Sequence, residues 1–275
     1  MNHPLTFIPP PLSRLQKGLF LQHKWFEPVF IGLEHVDRAR PALYVGNHTL
    51  YGMLDGPLMV LGLYQHKGIF LRSLGDHIHF RIPLWRDMLW GNGAVAGTPT
   101  NCRQLMEAKE HILVYPGGGR EVMKNKGEQY QLVWKERTGF ARMALEHGYD
   151  IVPFAAIGAD EAFDIHYDAR DFQQSRVGQW LQRTGISAKY LRGGDSFVPL
   201  TSGLGLLPRP EKFYFAFGER ISTCDLQAQA GDKSVQWQVR AQVEQAIYSL
   251  MNELFSLRER EEAQWPTWRR KLIKR

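Results

Sequence analysis

Two short apolar runs in this chain end abruptly at glycine. Ala42-Leu43-Tyr44-Val45 gives way to Gly46-Asn47-His48, and Ile112-Leu113-Val114-Tyr115 to Pro116-Gly117-Gly118-Gly119-Arg120-Glu121. Apolar runs of this length bounded by Pro and Gly read as buried strands entering sharp loops. Ile69–Arg72, Ala94-Val95, Ile151–Ala156 and Lys212–Phe217 are further runs of the same kind. Helical signals alternate with them. Thr98-Pro99-Thr100 opens a helix through about Lys109, and Thr138 can cap one that Gly148 closes. From Ser234, Val235, Val239, Val243, Ile247, Leu250, Leu254 and Leu257 recur at helical spacing. This alternation predicts an α/β fold: a single domain with a largely parallel mixed sheet flanked by helices. Pro153 predicts an edge or irregular strand. Ligands of such sheets sit outside the C-terminal strand ends, where both glycine loops fall.

A chain of 275 residues holds one large domain or two small ones, and no repeat or strong linker divides this one. The expected organisation is an amphipathic N-terminal segment (1–30), a main domain (31–260) and a basic, Trp-containing tail (261–275). A net charge of +6 points to an anionic partner: a membrane surface, a phosphate-bearing ligand or nucleic acid. The basic residues are dispersed and no nucleic-acid-binding signature occurs, so nucleic acid is not expected. Cys102 and Cys224 make neither a disulfide framework nor a zinc pattern and fit a reducing compartment. MNHPLTFIPPPL lacks the basic start and unbroken apolar core of a signal peptide. No uncharged apolar stretch reaches about 18 residues. The expected location is cytoplasmic, with peripheral association at a membrane. Leu12, Leu15, Leu19, Trp25 and Phe26, interleaved with cations, are expected to pack on the domain. The tail, with Trp265 and Trp268 beside Arg269, Arg270, Lys271, Lys274 and Arg275, is expected to meet the membrane. The uncharged stretch from Ser196 to Pro208 reads as a loop lining an apolar tunnel.

His48 can take a proton near neutral pH. Asp55 is the first acid after it, but seven residues of straight helix span roughly 10 Å, too far for a direct bond. Gly52 would have to mark a bend, and Asp76 and Glu121 are rival partners. Three successive glycines let backbone N–H groups approach a ligand that a Cβ would keep away. Arg120 adds a planar donor fork suited to substrate or an oxyanion, and Glu121 is expected to anchor the loop. No Gly-x-Ser-x-Gly elbow, intact phosphate-binding loop or complete dinucleotide fingerprint occurs, GNGAVAG at 91–97 missing the third glycine. Asp76, His77 and His79 are too weak a set to imply a metal, and none is expected.

These blocks resemble the lysophospholipid/glycerolipid acyltransferase superfamily, which includes the lysophosphatidate acyltransferases. The nearer likeness is to its neutral-lipid branch, with plant phytyl ester synthases and diacylglycerol-acyltransferase-like proteins. Asn47-His48 with Asp55 resembles the first block, Phe70-Leu71-Arg72 the second, Tyr115 to Glu121 the Pro-Gly-Gly-x-Arg-Glu form of the third, and Ile151-Val152-Pro153 the fourth. Trp134 with Arg137 to Ala141, and Phe217-Gly218-Glu219, are similar to the same branch. Six residues separate His48 from Asp55 where the family has four. The resemblance implies O-acyl transfer from a thioester, acyl-CoA or acyl carrier protein, to the hydroxyl of a glycerolipid, lysophospholipid or long-chain alcohol. It implies no further cofactor. His48 and Asp55 would be catalytic; Asn47, Arg72, Gly117, Gly118, Gly119, Arg120 and Glu121 would bind substrate. A lipid ester or thioester hydrolase using the same His, and a non-catalytic lipid-binding module, are the alternatives.

Overall fold

The structure, a computed structural model, describes residues 7–184 and 197–273. Two short helices, α1 (Leu12–Gly18) and α2 (Phe20–Phe26), lead into strand β1 (Val29–Ile31). β2 (Leu43–Gly46), α3 (Asp55–Lys67), β3 (Arg72–Gly75), α4 (Trp85–Gly91), β4 (Val95–Ala96), α5 (Pro99–Glu107) and β5 (Ile112–Val114) then alternate. After α6 (Gly119–Val122) and α7 (Gly139–His147) comes β6 (Ile151–Ile157). β7 (Asp164–Tyr167), α8 (Ala169–Gln174), α9 (Arg176–Arg183) and β8 (Leu200–Ser202) form an appendage. The chain closes with β9 (Tyr214–Phe217), the long α10 (Lys233–Glu262) and α11 (Thr267–Leu272).

Seven strands form the main sheet in the order β1-β9-β6-β2-β5-β3-β4, and β7 pairs with β8 in a separate ribbon. All neighbours in the main sheet are parallel except β6 and β9. The sheet is therefore mixed and largely parallel, with helices on both faces. Side chains alternate between the two layers as strand geometry requires. Leu43, Val45, Ile112, Ile151, Ala155, Tyr214 and Ala216 pack with α5, α7 and α10. Tyr44, Leu113, Val152, Phe154, Phe215 and Phe217 pack with α3 and with Phe26 of α2. The N-terminal segment is thus seated on the domain, Phe26 stacking on Phe213 at 4.0 Å.

The element boundaries follow local chemistry. Thr98 accepts a hydrogen bond from the Asn101 N–H at the start of α5, with Pro99 in the first turn. Thr138 does not cap α7; its hydroxyl donates to Gln236 of α10 at 3.1 Å. Ile69–Leu71 are buried but precede β3. Gly68, at φ +65°, terminates α3, and the Ile69 N–H turns back to Leu63, so the run first finishes a helix. β6 is central rather than an edge strand. Pro153 is tolerated because it falls between the Ile151–Ile221 bridge and the first β9 pair, Phe154–Phe217, where the ladder is interrupted.

The tail also differs from expectation. α10 continues past residue 260, and α11 docks on α2. Trp265 is buried, and the Arg269 guanidinium is fully buried, 3.0 Å from Glu27 and within hydrogen-bonding distance of the Trp25 carbonyl. Lys274 and Arg275 lie outside the described residues. Removing a buried cation strands its partners, so Arg269→Ala should destabilise the chain by about 3 kcal/mol. Urea denaturation checks this; an unchanged midpoint would show that the tail is not anchored through Arg269.

Candidate active site

β2, β3 and β5 are parallel and deliver their C-terminal ends to one edge of the sheet. His48, Tyr115 and Asp76 follow these ends. Gly46 is required where β2 leaves the sheet, because a Cβ there would lie 2.5 Å from the Phe154 ring. Asn47 then extends the pairing with its side chain. Its Nδ2 donates to the Ala156 carbonyl and its Oδ1 accepts from the Ala156 N–H, both at 2.8 Å. Both ends of the amide are occupied, so Asn47 fixes the chain direction at His48.

The imidazole of His48 stacks on the ring of Tyr115, with centroids 3.7 Å apart and planes 4° from parallel. On another side lies Gly52, where a Cβ would sit 2.2 Å from the ring. Tyr51 and Gly52 are both left-handed, at φ +62°, and the Gly52 N–H closes on the Thr49 carbonyl at 3.0 Å. A positive φ is unusual for a tyrosine. Tyr51 is held there because its N–H reaches the Val122 carbonyl and its hydroxyl reaches Pro199 and Thr201. Nδ1 of His48 is buried and has no hydrogen-bond partner. Burial, with the charge of Lys124, lowers the imidazole pKa to about 3. The residue keeps partial solvent contact, and the direction sets its chemistry: at neutral pH the ring is uncharged, with a lone pair available.

The turn at Gly52 brings Asp55 back as the first residue of α3, buried, yet no hydrogen bond joins it to His48. It faces Tyr115 instead: the Tyr115 hydroxyl lies 3.8 Å from where a Cβ on the adjacent Gly56 would be, and the Asp55 charge raises the phenol pKa. Burial pushes the Asp55 carboxyl up to about 6, although the Thr49 hydroxyl and the Gly56 N–H pull the other way without closing to well-formed bonds. Asp55 and His48 thus meet the same ring, Tyr115, without meeting each other. Asp76 caps the turn that follows β3, accepting from the Ile78 N–H, and pairs with His77 at 3.1 Å.

The glycine loop closes the opposite wall. A Cβ on Gly117 would lie 2.2 Å from the Glu121 carboxylate, and Gly118 adopts φ +52°, ψ −141°, a conformation essentially reserved for glycine. Arg137 clamps the loop, donating to the Pro116 and Gly117 carbonyls at 2.8 and 2.7 Å. In the sequence Arg137 is only part of a motif, and its clamp depends on a loop 20 residues away. Arg120 is not aimed at a substrate. Its guanidinium grips both oxygens of Glu128 at 2.7 Å and bonds the Met123 carbonyl. Arg72 is likewise structural. It is buried, held by the Gly93 carbonyl and Glu110, and stacks under Phe7. Its register with Ile112 places it level with Leu43, about 15 Å down the sheet from His48 at the rise of a strand.

Glu121 is fully buried beneath the loop. Desolvation raises its pKa to about 8, against the lowering pull of Lys124. The His48 and Val133 N–H groups point towards it, short of good hydrogen-bond geometry. Lys124, also buried, pairs with Asp160 at 3.3 Å. Cys102 is buried within α5 and its thiol is pushed up to about 12, which removes it as a nucleophile. Among the described residues no cluster of His, Cys, Asp and Glu could hold a metal ion. The described part of the uncharged 196–208 stretch lines no tunnel: Leu200, Leu206 and Leu207 face outward. Ser196 lies outside the described residues.

Residues 62–257 match the family described as diacylglycerol acyltransferase. That stretch takes in the glycine loop and Arg137; His48 and Asp55 precede it. The chain is 31% identical over 262 residues to "Phytyl ester synthase 2, chloroplastic" of Arabidopsis thaliana, covering 87% of this chain and 35% of that protein. It is 32% identical over 238 residues to "Phytyl ester synthase 1, chloroplastic" of the same plant, covering 80% and 34%. It spans about a third of the length of these relatives. A crystal structure of the 1-acyl-sn-glycerophosphate acyltransferase PlsC from Thermotoga maritima aligns with 93% of this chain and 81% of that one, at 14% identity and a TM-score of 0.48.

Two outcomes are expected from this geometry. Gly52→Ala should displace the imidazole, lowering kcat at least tenfold while costing only about 1 kcal/mol of stability for a strained αL alanine; wild-type turnover would show that the ring is not held by this turn. Glu121→Gln tests the buried acid. The folded protein keeps its proton up to about pH 8 while the unfolded chain releases it near 4.5. Raising the pH across that window therefore destabilises the wild type relative to the always-neutral Gln variant. The melting-temperature advantage of Glu121→Gln should grow from pH 5 to pH 8 and level off above; a flat difference would mean that the carboxyl is already ionised.

Proposed function

The chain belongs to the diacylglycerol acyltransferase family, and from that premise we propose that it is an O-acyltransferase with His48 as general base. It moves a fatty acyl group from an acyl thioester to the hydroxyl of a glycerolipid, lysophospholipid or long-chain alcohol. The observation that carries this reading is the uncharged imidazole with an unpartnered Nδ1, stacked on Tyr115 at the mouth formed by two strand ends and a glycine loop.

The chemistry follows from these groups. The acceptor hydroxyl gives its proton to the His48 lone pair as its oxygen attacks the thioester carbonyl. The oxyanion that forms is met by the main-chain N–H groups of Gly117 and Gly119, since the Gly118 N–H bonds the Tyr115 carbonyl and Arg120 is engaged by Glu128. Collapse breaks the C–S bond. A thiol with a pKa of about 8.5 leaves with little assistance, and the imidazolium returns the proton to it. No covalent enzyme intermediate is needed. Burial keeps the resting imidazole neutral. Acyl-CoA and acyl carrier protein both suit this step as donors, and no further cofactor enters it.

The acceptor class is supported by the relatives' printed names, which are those of phytyl ester synthases. Among the described residues no helix is long and apolar enough to cross a membrane. Association with the membrane holding the acceptor is peripheral in this reading.

His48→Ala should lower kcat by ~10²–10⁴, the range for loss of a general base, with an unchanged circular dichroism spectrum. The assay follows ester formation and free fatty acid separately from one labelled thioester. Near-normal transfer by the variant would overturn the role of His48. Equal consumption of thioester with and without an acceptor would make the protein a hydrolase.

A further inference from the structure

We propose that the Gly203–Leu207 turn of the appendage is a membrane-insertion element that seats the His48 mouth on an anionic lipid bilayer. Leu206 is 95% exposed, and Leu200 and Leu207 are each more than 60% exposed, within a 197–208 stretch that contains no charged residue. Leucines at a turn tip, with nothing packed on them, gain most by leaving water.

The backbone of the turn is suited to an apolar phase. A segment entering lipid must satisfy its own N–H and C=O groups. Here the Gly203 N–H bonds the Gly205 carbonyl, and Leu204 and Leu207 each donate to the other's carbonyl. The turn therefore carries part of its hydrogen bonding with it.

Charge and position identify the partner. Phe197, just before β8, packs on Tyr167 of β7 and Phe172 of α8, and α9, which follows α8, bears Arg176, Arg183 and the exposed Trp180, and no acid. Trp with Arg beside an apolar tip matches the headgroup layer of an anionic bilayer. The turn is joined directly to the site: the Tyr51 hydroxyl reaches Pro199 and Thr201, and Tyr51 is three residues from His48. Next to it α2 exposes Leu21 and is fixed by Gln22 to the carbonyls of Met53 and Leu54. No acid occurs between residues 12 and 26, which include Arg14, Lys17 and Lys24. Insertion of the turn would thus bring the catalytic mouth to the layer where an amphiphilic acceptor resides. In the docked tail Arg269 and Trp265 are consumed within the fold, while Trp268, Arg270 and Lys271 stay exposed, so the tail is the rival surface that the test must separate. The inference rests on the acyltransferase reading for its purpose, not for its test.

The test is co-sedimentation of the full chain with large unilamellar vesicles of phosphatidylcholine and phosphatidylglycerol. Leu206→Asp/Leu207→Asp should lower the partition coefficient at least tenfold, with the melting temperature unchanged; Leu206→Ser/Leu207→Ser serves if the Asp pair folds poorly. Arg270→Glu/Lys271→Glu should change it less than threefold. Equal binding by the leucine variant, no binding by the wild type, or a larger loss in the tail variant would each overturn the proposal. So would a dimer that the leucine variant dissociates without loss of vesicle binding, which would assign the turn to a second copy of the chain. A short-chain thioester and a water-soluble alcohol separate this from the chemistry. The leucine variant should turn them over like the wild type. A wild type inactive on every acceptor would defeat the functional reading and leave turn-dependent binding standing.

Discussion

Asp160 joins the separate parts of the site. One carboxylate oxygen accepts the Leu50 N–H at 2.7 Å, and the other accepts the Tyr130 N–H at 2.9 Å and pairs with Lys124. The loop carrying His48, the segment leaving the glycine loop and the end of β6 therefore meet at one buried side chain. In water each of these contacts would be weak; beneath the site, where the carboxylate cannot be resolvated, leaving any of them unmade is costly. The same pocket holds Asp55 and Glu121, so three carboxyl groups share a single buried cation. Such a cluster cannot stay fully ionised. Burial resolves it by pushing Glu121 to about 8 and Asp55 to about 6, so Glu121 keeps its proton at neutral pH and brings the floor of the site nearer to electrical balance.

That balance agrees with the chemistry proposed above it. An acyl thioester and an alcohol are both uncharged at the reacting centre, and a strongly ionic site would favour bound water over them. The neutral imidazole on Tyr115 presents an apolar face with a polar edge. Its orientation depends on packing, from Tyr115 on one side and the closed turn at Gly52 on the other, rather than on a carboxylate hydrogen-bonded to its second nitrogen. The ring is held by shape, and burial together with Lys124 keeps it uncharged.

How much of this was legible in the sequence depended on how local each signal was. The strands at 43–46, 112–114, 151–157 and 214–217 and the long helix from 233 are written in short-range periodicity, and glycine at the strand ends marks where the site had to be. Roles that depend on a distant partner were not legible. Arg120, Arg72 and Asn47 are polar residues beside glycine or at strand ends, which in a sequence looks like ligand binding. Their partners, Glu128, Glu110 with the Gly93 carbonyl, and Ala156, are set by tertiary packing. Lys124 and Asp160 gave no signal at all, because a buried ion pair between loops has no spacing rule. The tail was half legible for a related reason: Trp and Arg together suit a headgroup layer and a buried docking site equally well, and the burial of Arg269 depends on the position of Glu27.

The edge strand β1 has a consequence for how the chain is made. Val29 pairs with Tyr214, and among the described residues no other strand flanks β1. During synthesis the ribosome must add about 185 further residues before that partner exists, which takes roughly 10–40 s at typical elongation rates. Throughout that interval α2 and β1 present Phe26 and Phe30 without the Phe213 and Phe215 rings that later stack on them. The nascent N-terminal segment is an unpaired edge with exposed aromatics, the kind of surface that chaperones hold and that aggregates otherwise.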